Sequence, residues 1–224
     1  MNPDRVYWNR QQQALRRSLS NSNPIQPAIE LFLCQHASVH AGEIAQAGGW
    51  SFDDEAWQGL SVAGIRCIPP GGEHSLAWIF WHMARIEGVT MNLLVAGSPQ
   101  VLCQDHWLER MATHNRDSGN AMTIEQLAEL SAALDIPALQ AYRAAVGRRT
   151  REIVRQLSVE DIKRKVDPAR LRQVVAEGAV VAAAQGVIDY WGGLNIAGLL
   201  LMAPTRHNFL HLNEALRIRQ KLHL

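Results

Sequence analysis

His74-Ser-Leu-Ala-Trp-Ile-Phe-Trp-His-Met-Ala-Arg-Ile-Glu87 opens the strongest helical pattern in the chain. At spacings of three and four, Trp78, Ile79, His82, Ile86, Val89 and Leu93 fall on one face, which predicts a helix from Ser75 to about Ala96. The turn cluster Pro69-Pro70-Gly71-Gly72 closes the loop before it. Near the other end, Pro204-Thr-Arg-His-Asn-Phe-Leu-His211 sets two histidines four residues apart. Spacing of four puts both on one face of a helix.

The rest of the chain reads the same way. A helical pattern from Pro27 to about Ala47 carries Ile29, Leu33, His36, Ala37, His40 and Ile44 on one face and stops at Gly48-Gly49. Short helical pieces come next around Phe52–Leu60 and Asp105–Met111. Thr123 with Gln126 forms a capping-box pattern for a helix to Ala133. Pro137 starts a long helix to Leu157, seamed by Leu139, Tyr142, Val146, Thr150 and Ile153, with a short turn of helix at Val159–Lys165 beyond it. A fourth long helix is expected from Arg170 to Trp191, ended by Gly192-Gly193. The last runs from Ile196, capped by Asn195, to about Leu222. Pro204 inside it removes the bond to the Leu200 carbonyl and predicts a kink or a restart. No stretch alternates with period two. The expected fold is all-α, a four-helix bundle with short extra helices in its connections. Residues 1–25, ending in Asn21-Ser22-Asn23-Pro24, read as an N-terminal arm, flexible or packed on a partner, and 26–224 as one bundle domain.

Composition removes several function classes. Hydrophobic residues make up 47% of the 224, enough for a core, and the net charge of +1 gives no footprint for nucleic acid. The 22 lysines and arginines are scattered in short clusters such as Arg148–Arg149, which fit solvated helix faces. Cys34, Cys67 and Cys103 are odd in number and far apart, which suggests neither a disulfide framework nor a thiolate zinc site. Residues 1–22 are polar with no apolar signal core, and the uncharged stretch Tyr190–Thr205 is broken by Gly, Asn and Pro. It falls short of the roughly 20 residues of a membrane span. The expectation is a reduced, cytoplasmic protein with no nucleic-acid or membrane partner.

Histidine carries the chemistry. Nine histidines would give about 0.36 pairs at a spacing of four by chance, yet two occur, His36/His40 and His207/His211. Two imidazoles at that spacing can converge on one ion at about 2.0–2.1 Å each. His-Glu-x-x-His is absent, and so is any Glu-x-x-His, which argues against a di-iron carboxylate bundle. On spacing alone, metal and structural readings of His207/His211 stay open, and a lone His82 on an apolar stripe is more often a hydrogen-bonded core residue. His74, His106, His114 and His223 read as surface residues.

Both histidine-bearing stretches resemble a known family. His74 to Glu87, an apolar-Trp run leading to a histidine and then a Glu, resembles the second-helix signature of the DinB/YfiT-like superfamily. Pro204 to His211 resembles its last-helix His-x-x-x-His signature, and Leu216-Arg-Ile-Arg219 fits the tail after it. The resemblance runs from about residue 26 to the end and looks closest to the branch of metal-binding DinB-like proteins. It implies a four-helix bundle, often a homodimer, with a divalent ion (zinc or nickel) on His82, His207 and His211. It says nothing comparable of His36 and His40, which either line a polar end of the core or face the cavity as donors behind the ligands.

Three neutral imidazoles leave an ion its charge and an open position, where it can lower the pKa of bound water to about 7 or hold a thiolate. Each ligand ring needs a partner for its other nitrogen. Glu214 and Asn208 are the local candidates, with Glu43 a third if its face turns inward, and Trp78 and Trp81 can wall a pocket. Cys34 is a further candidate near the cavity. Two functions from different classes are compatible with such a site. One, which the resemblance implies, is a metal-dependent thiol transferase or hydrolase acting on a small thiol or other small molecule. The other is a non-catalytic, stress-associated bundle whose ion is structural or vestigial.

Overall fold

A computed structural model of the chain describes residues 3–21, 23–45 and 50–223. In chain order its α-helices are α1 (Pro3–Ser20), α2 (Gln26–Ala37), α3 (Gly42–Ala45), α4 (Phe52–Trp57), α5 (Val62–Arg66) and α6 (Leu76–Val89). Then come α7 (Trp107–Arg110), α8 (Ile124–Ala133), α9 (Ile136–Arg155), α10 (Val159–Lys163) and α11 (Pro168–Ala176). The last three are α12 (Gln185–Gly192), α13 (Ile196–Leu201) and α14 (Asn208–Leu222). Among the described residues there is no strand, only an isolated bridge between Lys165 and Asn195, and the fold is all-α. No described helix is long and apolar enough to cross a membrane.

The decisive stretch forms the central helix. Ser75 caps α6, its hydroxyl accepting from the Trp78 N–H at 3.0 Å. All residues of α6 are buried, not one stripe, because α9 and α14 cover it on two sides and α5 and α8 close over its start. Burial all round brings Arg85 and Glu87 into the interior with their partners. Arg85 donates to the Gln100 side chain at 3.0 Å and the Tyr142 hydroxyl at 3.1 Å. A π-helical turn, Thr90–Ala96, continues α6 and ends at Gly97.

Pro204 interrupts the α-helical ladder, but neither a restart nor a break follows it. The segment from Ile196 to Leu222 stays continuous, with a π-helical turn at Met202–His207. The Leu200 carbonyl that Pro204 cannot serve accepts from the Thr205 hydroxyl at 3.1 Å, and Gln12 of α1 donates to the Leu201 carbonyl at 2.8 Å. One extra residue in a turn rotates the remainder of the helix by about 100°. That turn therefore sets the direction of His207 and His211.

Three expectations are corrected. Residues 3–20 are no arm: they form α1, whose Trp8 is buried and stacks on Phe209 at 3.8 Å. The helix expected from Pro27 to Ala47 ends at Ala37 and resumes as the short α3, while its predicted stop at Gly48-Gly49 lies outside the described residues. The helix expected over Arg170–Trp191 breaks after Ala176. Gly178 there adopts a left-handed conformation (φ +67°), which turns Ala179 and Val180 into the core. The freed Ala179 carbonyl accepts from the Ser118 N–H at 2.9 Å and so anchors the loop that reaches the histidines.

Candidate metal centre

His82 of α6, His207 at the end of the π turn and His211 of α14 converge. Each offers a ring nitrogen, and these lie within 4.8 Å of one another. The Nε2 atoms of His82 and His207 are 3.1 Å apart. Two nitrogens at about 2.1 Å from one ion at a tetrahedral angle sit about 3.4 Å apart, so the spacing suits coordination. The three rings are tilted against each other by 55°, 68° and 80°, as rings aimed at a common point are.

Neighbouring acceptors set the tautomers. His82 Nδ1 lies 2.5 Å from the Ser118 carbonyl, which can only accept, so the proton sits on Nδ1 and the Nε2 lone pair is free. His211 Nδ1 donates to Glu214 Oε2 at 2.8 Å and frees its Nε2 likewise. Burial works against the Glu214 charge, but hydrogen bonds from His211 and His74 overcome it and hold the carboxyl at about 2. Burial, reinforced by His211, pushes His82 down to about 3, and burial with His82 and His211 pushes His207 well below the usual range. Both rings are neutral at physiological pH, the state a metal requires. Nδ1 of His207 is buried with no partner among the described residues.

The triad forms one wall of a cavity of about 770 Å³, shared with Glu73, His74, Trp78, Asn120 and Met122. Trp78 stacks on His82 with ring centroids 4.5 Å apart, and on its other face with His74 at 3.9 Å. His74 is therefore half-buried and not a free surface residue: it lies just ahead of the α6 cap, and its Nδ1 donates to Glu214 Oε1 at 2.6 Å.

His36 and His40 belong to a second cluster, with Glu87, all fully buried. These donors too lie close enough to hold an ion. The detail is that of a hydrogen-bonded carboxylate. His36 Nε2 meets Oε1 at 2.9 Å and His40 Nε2 meets Oε2 at 2.8 Å. Thr150 adds a bond to Oε1 and Asn208 one to Oε2, each at 2.7 Å. Four donors thus fill both oxygens, and the two rings stack at 4.3 Å instead of converging. Burial opposes the charge of Glu87, but His40 and His36 hold its carboxyl well below the usual range. His40 is pushed down to about 3 by burial, against the pull of Glu87. The cluster ties α2, α6, α9 and the start of α14 at one point, directly beside His207.

A family model described as the DinB superfamily matches residues 54–187. The chain belongs to the DinB superfamily. No curated protein matches it. The matched part of this DinB-superfamily chain contains His82 and Glu87, whereas His207 and His211 lie beyond it and are brought to His82 by the fold. Glu43 faces solvent and meets Arg148 at 3.7 Å, and all three cysteines are exposed, so neither Glu43 nor Cys34 serves the site. Asn208 donates to Glu87 and to none of the three converging rings. His106, His114 and His223 are exposed. Sequence reasoning missed Ser118, which no local pattern marks. It also missed His74, which lies ahead of the helix cap and reaches the site through its stacking on Trp78.

Proposed function

We propose that this DinB-superfamily protein holds one divalent ion, zinc or nickel, on His82, His207 and His211, and works on a small thiol or other small molecule as a metal-dependent transferase or hydrolase. The observation that carries the reading is the pairing of preset tautomers with a cavity: Ser118 and Glu214 free two Nε2 lone pairs at the wall of a 770 Å³ space. A donor set of three imidazoles suits zinc and nickel. When bound, the ion supplies a positive charge that favours thiolate over thiol and hydroxide over water.

The chain's own residues do the rest. Ser118 and Glu214 orient the ligand rings, and Trp78 stiffens His82 by stacking. Met122, Ile124 and Leu127 give the cavity an apolar side that suits an organic ligand. The test is substitution with cobalt(II) followed by titration with 2-mercaptoethanol. A new charge-transfer band and a changed visible spectrum are expected. A cobalt spectrum that responds to neither this thiol nor azide would mark a closed, structural site and overturn the enzymatic reading.

A further inference from the structure

His74 lies in the same cavity and is arranged differently from the three converging rings. Its Nδ1 lies 2.6 Å from Glu214 Oε1, close enough for the ring N–H to donate to that carboxylate. In the neutral ring that bond places the proton on Nδ1 and leaves a lone pair on Nε2. Nε2 has no protein partner among the described residues and is not among the buried unpartnered atoms. The side chain keeps 25% exposure at the wall of the cavity. Its ring plane is held within 3° of Trp78, so the nitrogen cannot swing freely. An imidazole with one nitrogen anchored on a carboxylate and the other open to a ligand space is the arrangement of an oriented general base.

We infer that His74, held by Glu214, is the proton acceptor for a thiol or water entering this cavity, an assignment that rests on the reading of the triad as an open metal site. The step balances simply. The S–H or O–H bond breaks, its electron pair stays on sulfur or oxygen, and the proton forms an N–H bond at His74 Nε2. The imidazolium then lies between the Glu214 carboxylate and the new anion. Glu73 from its own loop, Glu214 and His211 from α14, His82 from α6 and His207 complete the ionisable groups of the cavity, while Ile124 and Leu127 on the α8 side are apolar. Glu214 also supports His211, so the base and one metal ligand share a single carboxylate.

The experiment counts protons. The full chain loaded with cobalt(II) is titrated with 2-mercaptoethanol by calorimetry at about pH 7 in buffers of different ionisation heat. The parent protein should keep the thiol proton and release close to none. His74→Phe keeps an aromatic ring against Trp78 but has no acceptor, and should release about one proton per thiol with an affinity about tenfold weaker. His74→Asn places an amide N–H near the Nδ1 position, preserves the bond to Glu214, and should behave as the Phe variant does. Equal proton release in the parent and in a variant that still binds cobalt would overturn the assignment of His74. A parent chain that fails to bind cobalt, or binds it without responding to thiol, overturns the metal reading itself and this assignment with it.

Discussion

Replacing Glu87 tests whether its cluster is a hydrogen-bonded carboxylate. In Glu87→Leu four donors lose their acceptor: the Nε2–H groups of His36 and His40, the Thr150 hydroxyl and the Asn208 amide. Two of these have alternatives. Thr150 can turn its hydroxyl to a carbonyl of its own helix, and Asn208 already lies 3.4 Å from the Pro204 carbonyl. The two imidazole N–H groups are left buried. At about 1–3 kcal/mol for each stranded donor plus the lost bonds, the variant should be less stable by about 3–5 kcal/mol. That is a large part of the roughly 5–15 kcal/mol that stabilises a domain. Glu87→Gln keeps the shape and one accepting oxygen, and its new amide faces His40 and Asn208. Both can invert, because His40 Nδ1 and Asn208 Oδ1 are buried without partners. The cost should then be about 1–2 kcal/mol. Urea unfolding of the metal-free chain, followed by circular dichroism, measures both. A Leu variant within about 1 kcal/mol of the parent, or a Gln variant worse than Leu, would refute the reasoning.

Acid should destabilise the metal-free protein well before its carboxylates titrate. His40 and His82 stand at about 3 when folded and 6.5 when unfolded, so the unfolded chain takes up protons first. Their contribution is complete above 6.5 and drains away as pH falls toward 3, about 2 kcal/mol for each by pH 5. A urea midpoint unchanged between pH 7 and pH 5 contradicts this. Gly119→Ala should cost about 2–3 kcal/mol and weaken metal uptake. Gly119 has φ +81°, and a Cβ there would come within 2.7 Å of Trp81 and 2.9 Å of Trp78, displacing the neighbouring Ser118 carbonyl that orients His82. Retained stability and unchanged metal affinity would show that this loop does not hold His82.

Much of the fold was readable because the signals are local. The Thr123–Gln126 capping box and the long helix that Pro137 opens arise from side chains within one turn of the backbone they serve. The break at Gly178 was not readable, since alanine-rich propensity favours a helix and only the long-range bond from Ser118 to Ala179 shows why it opens. In the site, His82 and the His207/His211 pair were legible from periodicity and flanking residues. Glu87 closes the decisive stretch, yet its role was hidden. Its position five residues after His82 turns it to another face, where only the packing of α2, the turn after it, α9 and α14 supplies four donors. A stripe read from one helix cannot show that its opposite face is buried as well.

Metal analysis of the purified full chain tests the central claim most directly, comparing the parent with His207→Ala/His211→Ala after dialysis against zinc or nickel. The account predicts about one ion per parent chain and loss of nearly all of it in the double variant, with α-helical content preserved, because His82 alone cannot hold a first-row ion tightly. An equal metal content in both proteins would place the ion elsewhere and contradict the three-histidine site.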